Sequence, residues 1–388
     1  MSLQELVEIS RYYGGNPEYV IAGGGNTSWK DGGDLYVKGS GTALGEIDAD
    51  GFVKMDRAAL ARIWTRQYPE SEDEREAAVL ADMMTARAAG EEKKRPSVET
   101  LLHDILPFLY VVHTHPAVVN GVTCSMEGES AVRRLFDETG YAPPVWIPVT
   151  NPGYVLSAIV KEKMDGYLKK HGRPAEIIFL QNHGIFAGAN SVSYMKDLYR
   201  RVIGCITAEI RRKPDFSGGT GEFGSSAKMF APLTEVLSAH YPDGLFIRFD
   251  RNNEIARLVR NRASFGAVSS AFTPDHIVYA GSDPLFIDNT VTKLPAETIG
   301  GAIIDAVSRH TARTGRPPKI IAVEDVGVYS IGPHKKAADL AFALFEDAVT
   351  VAVYSEAFGG PRFMPLDKID FINNWEVERY RSSISVKQ

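Results

Sequence analysis

Apolar and polar positions along the chain fall into short α/β units. Residues 109–116, Leu-Tyr-Val-Val-His-Thr-His-Pro, run apolar until two histidines one residue apart. This reads as a buried strand, and strand side chains alternate between faces. A second apolar run, Ile177-Ile178-Phe179-Leu180, ends in Gln-Asn-His-Gly at 181–184. Residues 191–206 and 335–351 carry the spacing of amphipathic helices. Residues 95–109, Arg-Pro-Ser-Val-Glu-Thr-Leu-Leu-His-Asp-Ile-Leu-Pro-Phe-Leu, read as a helix opened by Pro96, with Ser97 as N-cap and Glu99 in the first turn.

An internal repeat sharpens this picture. The stretch GRPAEIIFLQNHGIFA (172–187) aligns without a gap on GRPPKIIAVEDVGVYS (315–330), at an offset of 143 and with six of sixteen positions identical. Each copy reads as a helix end, a Gly-Arg-Pro turn, an apolar strand and a glycine turn, followed by a helix. One α/β unit is therefore expected twice. The copies differ where chemistry is at stake, because Val326 stands in the position of His183. DHIVYAGSDP (275–284) reads as a second-copy counterpart of 109–116 without its histidines.

Between the copies, residues 213–228 are rich in Gly and Ser and lack an apolar period. The expected layout is a catalytic domain over 1–213, a linker over 214–227 and a degenerate domain over 228–388. The length of 388 residues, with 44% hydrophobic and 24% charged residues, suits two globular domains. A net charge of −6 without a basic block argues against nucleic acid. No uncharged run approaches the ~20 residues that span a bilayer, and the N-terminus does not read as a signal peptide. Two distant cysteines, Cys124 and Cys205, place the chain in a reducing cytoplasm.

On a strand, His113 and His115 point to one face. They read either as two metal ligands or as hydrogen-bonded histidines. His183, at another strand end, is the candidate third ligand. Three imidazoles leave one coordination position open, the arrangement of catalytic sites. Glu99 is an acid–base candidate or a capping carboxylate. His103, one turn on, is a fourth ligand, a partner of the ligands or a structural residue. The loops around 21–30 and 35–44 set glycines beside Asn, Ser and Thr; they suit an anion nest or plain turns, and match neither a P-loop nor a dinucleotide fingerprint.

Five motifs in order, Gly25-Asn26-Thr27-Ser28, Lys38-Gly39-Ser40-Gly41, Pro96-Ser97-Val98-Glu99, His113-Thr114-His115-Pro116 and Asn182-His183-Gly184, resemble the class II aldolase/adducin family. The closer likeness is to the aldolase part of bifunctional proteins that join a rhamnulose-1-phosphate-type aldolase to a short-chain dehydrogenase. It extends to Thr-Pro-Asp-His-Ile-Val-Tyr-Ala and the closing Trp-Glu-Val-Glu-Arg-Tyr-Arg. The resemblance implies a three-layer α/β sheet sandwich with helices on both faces. It implies one Zn2+ per chain on His113, His115 and His183, with Glu99 as acid/base. Gly25, Asn26, Ser40, Gly41 and Ser97, with Thr27 and Lys38 as further candidates, would hold a substrate phosphate. The implied activity is reversible cleavage of a ketose 1-phosphate into dihydroxyacetone phosphate and an aldehyde, by a homo-oligomer, tetramers being common in the family. A sugar-phosphate 4-epimerase, a sugar-acid phosphate decarboxylase and a non-catalytic adducin-like module are the alternatives. The chain departs from the family in three ways: Val98 takes the place of a phosphate-loop serine, the Glu99–His113 spacing is short, and a second domain is added.

Overall fold

The computed structural model describes residues 2–218 and 223–375. The closing motif lies outside the described residues beyond Trp375, as do 219–222 of the Gly/Ser-rich stretch. The chain divides into two compact units, one built on the chain up to Ile210 and one on Arg211–Asn373.

The first unit runs α1 (Leu3–Gly14), β1 (Asn26–Asp31), β2 (Asp34–Lys38), β3 (Phe52–Asp56), α2 (Arg57–Ile63), α3 (Glu72–Thr85), α4 (Thr100–Ile105), β4 (Tyr110–Thr114), α5 (Ala117–Thr123), α6 (Gly128–Thr139), β5 (Val145–Ile147), α7 (Tyr154–His171), β6 (Ile177–Leu180), β7 (Gly184–Ala189) and α8 (Val192–Glu209). Its seven strands lie in the order β3-β2-β1-β4-β7-β6-β5. The sheet is antiparallel except for the β5–β6 pair. Alternation along β4 sorts its residues between two helical layers. Val111 joins a core with Leu102, Leu106, Leu156 and Val160 under α4 and α7. On the other face, the hydroxyl of Thr114 donates to Tyr199 of α8 at 2.9 Å. Strand β1 sorts in the same way, with Thr27 bonded to Ser10 of α1 at 2.6 Å. The unit is thus a helix–sheet–helix sandwich.

The second unit runs α9 (Phe223–Ser238), β8 (Phe246–Asp250), α10 (Asn253–Leu258), α11 (Arg262–Phe265), β9 (Leu285–Ile287), α12 (Asn289–Thr292), α13 (Ala296–Thr314), β10 (Ile320–Val323), β11 (Gly327–Gly332), α14 (Lys335–Ser355) and α15 (Leu366–Asn374). Its strand order β8-β11-β10-β9 repeats β4-β7-β6-β5, with the same senses throughout. The starts of β6, β7 and α8 recur in β10, β11 and α14 at the same offset of 143 residues. Even the unusual backbone recurs: Asn182 has φ 56° and its counterpart Asp325 has φ 60°. The second sheet is a reduced copy of the first.

Three local expectations are corrected. Residues 276–280 form a single π-helical turn. Thr273-Pro274-Asp275 begins it as a capped helix start, with Thr273 Oγ1 accepting from the His276 amide at 3.4 Å. The four apolar residues Ile277–Ala280 carry no period strong enough to override that cap. The true counterpart of β4 in the repeat is β8. Second, α4 begins at Thr100, and Glu99 is its cap residue rather than part of its first turn. A bridge between Gly39 and Pro96, and the Ser97 amide donating to Lys38 O at 3.1 Å, tie Pro96 and Ser97 to the β2 end, and a turn over Val98 and Glu99 leads into the helix. Third, α9 begins at Phe223, inside the Gly/Ser-rich stretch, because Met229, Leu233 and Leu237 bury one helical face.

Candidate active site

The site forms where the C-terminal end of β4 meets the β6–β7 turn. Strand alternation sends His113 and His115 to the α4 side of the sheet. In the turn, Asn182 adopts a left-handed conformation and the His183 amide donates to Leu180 O at 3.2 Å. Gly184 lets the turn close: a Cβ there would stand 2.5 Å from Thr114 O and 2.7 Å from a His115 ring carbon.

These elements gather the three imidazoles so that one nitrogen of each lies within 4.8 Å of the others. Among the described residues no other His, Cys, Asp or Glu group has metal-ligand geometry. His113 is fully buried and stacks on Phe186 at 4.0 Å. Its Nδ1 donates to Ile185 O at 2.9 Å, which leaves the lone pair on Nε2. That Nε2 lies 2.8 Å from His115 Nε2 and 3.4 Å from Glu99 Oε1; His183 Nε2 is 3.6 Å from the same oxygen. Glu99 is 6% exposed, and Oε1 is buried without a hydrogen-bond donor. Convergent nitrogen ligands and an anionic oxygen lacking a donor form a set that a divalent cation satisfies.

The other side of Glu99 is tightly held. Asn26 Nδ2 donates to Glu99 Oε2 at 2.6 Å and to Ser97 Oγ at 3.2 Å. Asn26 Oδ1 meets His103 Nε2, and His103 Nδ1 meets Ser28 Oγ at 2.7 Å. His103 is fully buried, and desolvation holds its pKa well below the ordinary histidine value. Lys30, next on this face of β1, donates to His103 O at 2.5 Å and Phe108 O at 3.0 Å. Burial lowers its pKa to about 7.

Most of the anion-loop candidates gather here. Gly25, at φ 65°, lies against the His113 carbonyl, where a Cβ would come within 2.7 Å. Asn26 pairs with His113 across β1–β4. The buried Lys38 ammonium donates to Gly23 O at 3.4 Å, and Ser40 N donates to Arg95 O at 2.7 Å, which sets Ser40 and Gly41 beside the Ser97 segment. Thr27 does not belong with them. It lies on the opposite face, bonded to Ser10, because it neighbours Asn26 on an alternating strand. Sequence reasoning missed Ser28 and Lys30 as partners of the site. The polar positions 26, 28 and 30 of one strand were the available signal.

In the second unit the equivalent positions carry other residues. The pairing of β8 with β11 matches that of β4 with β7, so Phe249 stands for His113 and Arg251 for His115. The Arg251 guanidinium donates to Asp325 O at 2.5 Å and Val326 O at 3.0 Å, across the turn that carries His183 in the first unit.

A family model described as the class II aldolase and adducin N-terminal domain matches residues 4–202, half of the chain. A relative from Bacillus subtilis (strain 168), named the uncharacterized oxidoreductase YuxG, is 24% identical over 99% of this chain and 58% of its own length. The chain thus spans little more than half of that relative. Among solved structures, the N-terminal class II aldolase domain of a conserved protein from Thermoplasma acidophilum is 26% identical, covering 54% of this chain and 94% of that one, with a TM-score of 0.45. L-fuculose-1-phosphate aldolase from Thermus thermophilus is 14% identical, covering 53% and 90%, with a TM-score of 0.34. The order of motifs in the first unit, their convergence on three histidines and the match of the family model over 4–202 make this chain a member of the class II aldolase and adducin family.

Proposed function

We propose that the chain catalyses reversible, zinc-dependent aldol cleavage of a ketose 1-phosphate into dihydroxyacetone phosphate and an aldehyde. The carrying observation is Glu99: one carboxylate oxygen is fixed by Asn26, while the other lies bare beside the ligand nitrogens of His113 and His183. Three imidazoles suit zinc, and a zinc ion on His113, His115 and His183 would act as a Lewis acid on the negative charge that develops as the carbon–carbon bond breaks. Glu99 delivers a proton to the dihydroxyacetone phosphate carbon in cleavage and removes it in condensation. The Ser97 hydroxyl, the Lys38 ammonium and the backbone around Gly25, Ser40 and Gly41 orient the phosphate, so that remote binding energy aligns the reacting carbons. The reading includes a cytoplasmic homo-oligomer with one zinc per chain. It also sets the chain beside the aldolase part of fused aldolase–dehydrogenase proteins, supported by an alignment covering 99% of the chain but 58% of YuxG.

Zinc-loaded protein incubated with dihydroxyacetone phosphate and a panel of aldehydes should yield ketose 1-phosphates. Epimerisation of a sugar phosphate, or release of carbon dioxide from a sugar-acid phosphate, with no condensation, would replace the aldolase with an epimerase or decarboxylase on the same ligands. Absence of bound zinc from the purified protein together with absence of turnover would favour an adducin-like binding module.

A further inference from the structure

We propose that His103 is a positioning residue for Glu99, acting through the Asn26 side chain. The inference rests on the aldolase reading for the role of Glu99. It follows from counting donors. An ionised carboxylate only accepts, so the Asn26 atom 2.6 Å from Glu99 Oε2 is the amide nitrogen. Its second proton goes to Ser97 Oγ at 3.2 Å. Asn26 Oδ1 then faces His103 Nε2, which must carry the ring proton to donate. His103 Nδ1 is left as an acceptor and takes the Ser28 hydroxyl proton at 2.7 Å. Ser28, His103, Asn26 and Glu99 form a chain with one direction of donation.

All four residues are less than one-tenth exposed, which shields these bonds from bulk water. Both amide protons of Asn26 are committed. The Ser97 hydroxyl accepts from Asn26 and from the Glu99 amide at 3.2 Å, and its own proton is the donor left to reach an anion. Reversing the His103 tautomer would put two acceptors face to face at Asn26, turn the amide over and set its oxygen against the carboxylate.

The test has one arm on the metal-free protein and one on turnover. Long-range proton–nitrogen NMR of histidine-labelled, metal-free protein should show His103 as the Nε2–H tautomer; the Nδ1–H tautomer overturns the proposal. In the zinc-loaded enzyme, His103→Leu should lower kcat about 10- to 100-fold, the scale of losing the Asn26 hydrogen bond to the Glu99 carboxylate that His103 orients, with KM and zinc content within about twofold. His103→Gln, whose amide nitrogen reaches the Nε2 position, should recover most of that loss. Asn26→Ala should also lower kcat rather than raise KM. Equal losses in His103→Leu and His103→Gln, or a KM effect alone in Asn26→Ala, overturn the proposal. If Glu99→Gln is inactive while His103→Leu keeps full activity, the positioning role fails and the aldolase reading stands. If the wild-type protein cleaves no ketose 1-phosphate, the aldolase reading fails, and the tautomer still decides whether the chain of donors exists.

Discussion

Lys30 offers a direct measurement of how the helix that follows Glu99 is tied to the sheet. Its ammonium is buried, 6% exposed, and is held by the His103 and Phe108 carbonyls rather than by a carboxylate. The nearby Asp104 is taken by Arg57 at 2.6 Å. Desolvation is the largest influence on Lys30 and lowers its pKa from 10.5 to about 7; Asp104 opposes the shift and Arg57 adds to it. Between those two values the unfolded chain binds a proton that the folded chain does not, so Lys30 makes stability rise with pH across that window. Below pH 7 both states are protonated and the full penalty is present. Linkage with pKa values of about 7 and 10.5 gives a gain of about 3 kcal/mol from pH 6 to pH 9. The perturbation is Lys30→Met, which keeps the length and removes the titration. It strands two carbonyls at a constant, pH-independent cost, which cancels in the pH trend. The assay is urea unfolding of both metal-free proteins from pH 6 to 9, followed by tryptophan fluorescence, since Trp29, Trp64 and Trp146 lie in the first unit. The wild-type stability should climb relative to Lys30→Met by about 3 kcal/mol. Parallel curves, within about 0.5 kcal/mol throughout, would show that Lys30 keeps its proton and that burial does not dominate its energetics.

Removing a ligand and removing a base should fail differently. His183→Ala leaves two imidazoles, so zinc content and turnover should fall together; normal zinc content would refute its place as third ligand. Glu99→Gln should keep zinc while turnover drops by about 10²–10⁴, and full activity would reduce Glu99 to a helix cap. Chelation should abolish turnover and one equivalent of zinc per chain should restore it, because Phe249, Arg251 and Val326 leave the second unit without ligands; two equivalents bound tightly would refute that loss. Gly25→Ala forces a side chain onto φ 65° and within 2.7 Å of the His113 carbonyl. It should cost about 1–3 kcal/mol of stability and weaken zinc binding, measured by thermal unfolding with and without metal; an unchanged transition would refute the close approach.

Short-range periodicity by itself determined much of this molecule. Two-residue alternation put His113 and His115 on one face, and the Gly-Arg-Pro repeat carried its register of 143 residues through strand, left-handed turn and helix alike. Both signals live within a dozen residues, where local backbone geometry decides the outcome. Tertiary structure decided the rest. The counterpart of β4 proved to be Phe246–Asp250 and not 275–284, because pairing across β11 sets the equivalence and a local Thr-Pro-Asp cap wins over four apolar residues. Alternation along β1 carried the information that Thr27 faces away from Asn26, but which face is the active one depends on α4 lying over it. Likewise, nothing within residues 95–109 shows that His103 will meet Asn26 and Ser28, more than seventy residues away in the chain. That meeting follows from strand order, which places β1 beside β4, and from the helix packed across them. Local pattern chooses elements and faces; only the pairing of distant strands brings chemical groups within hydrogen-bonding distance.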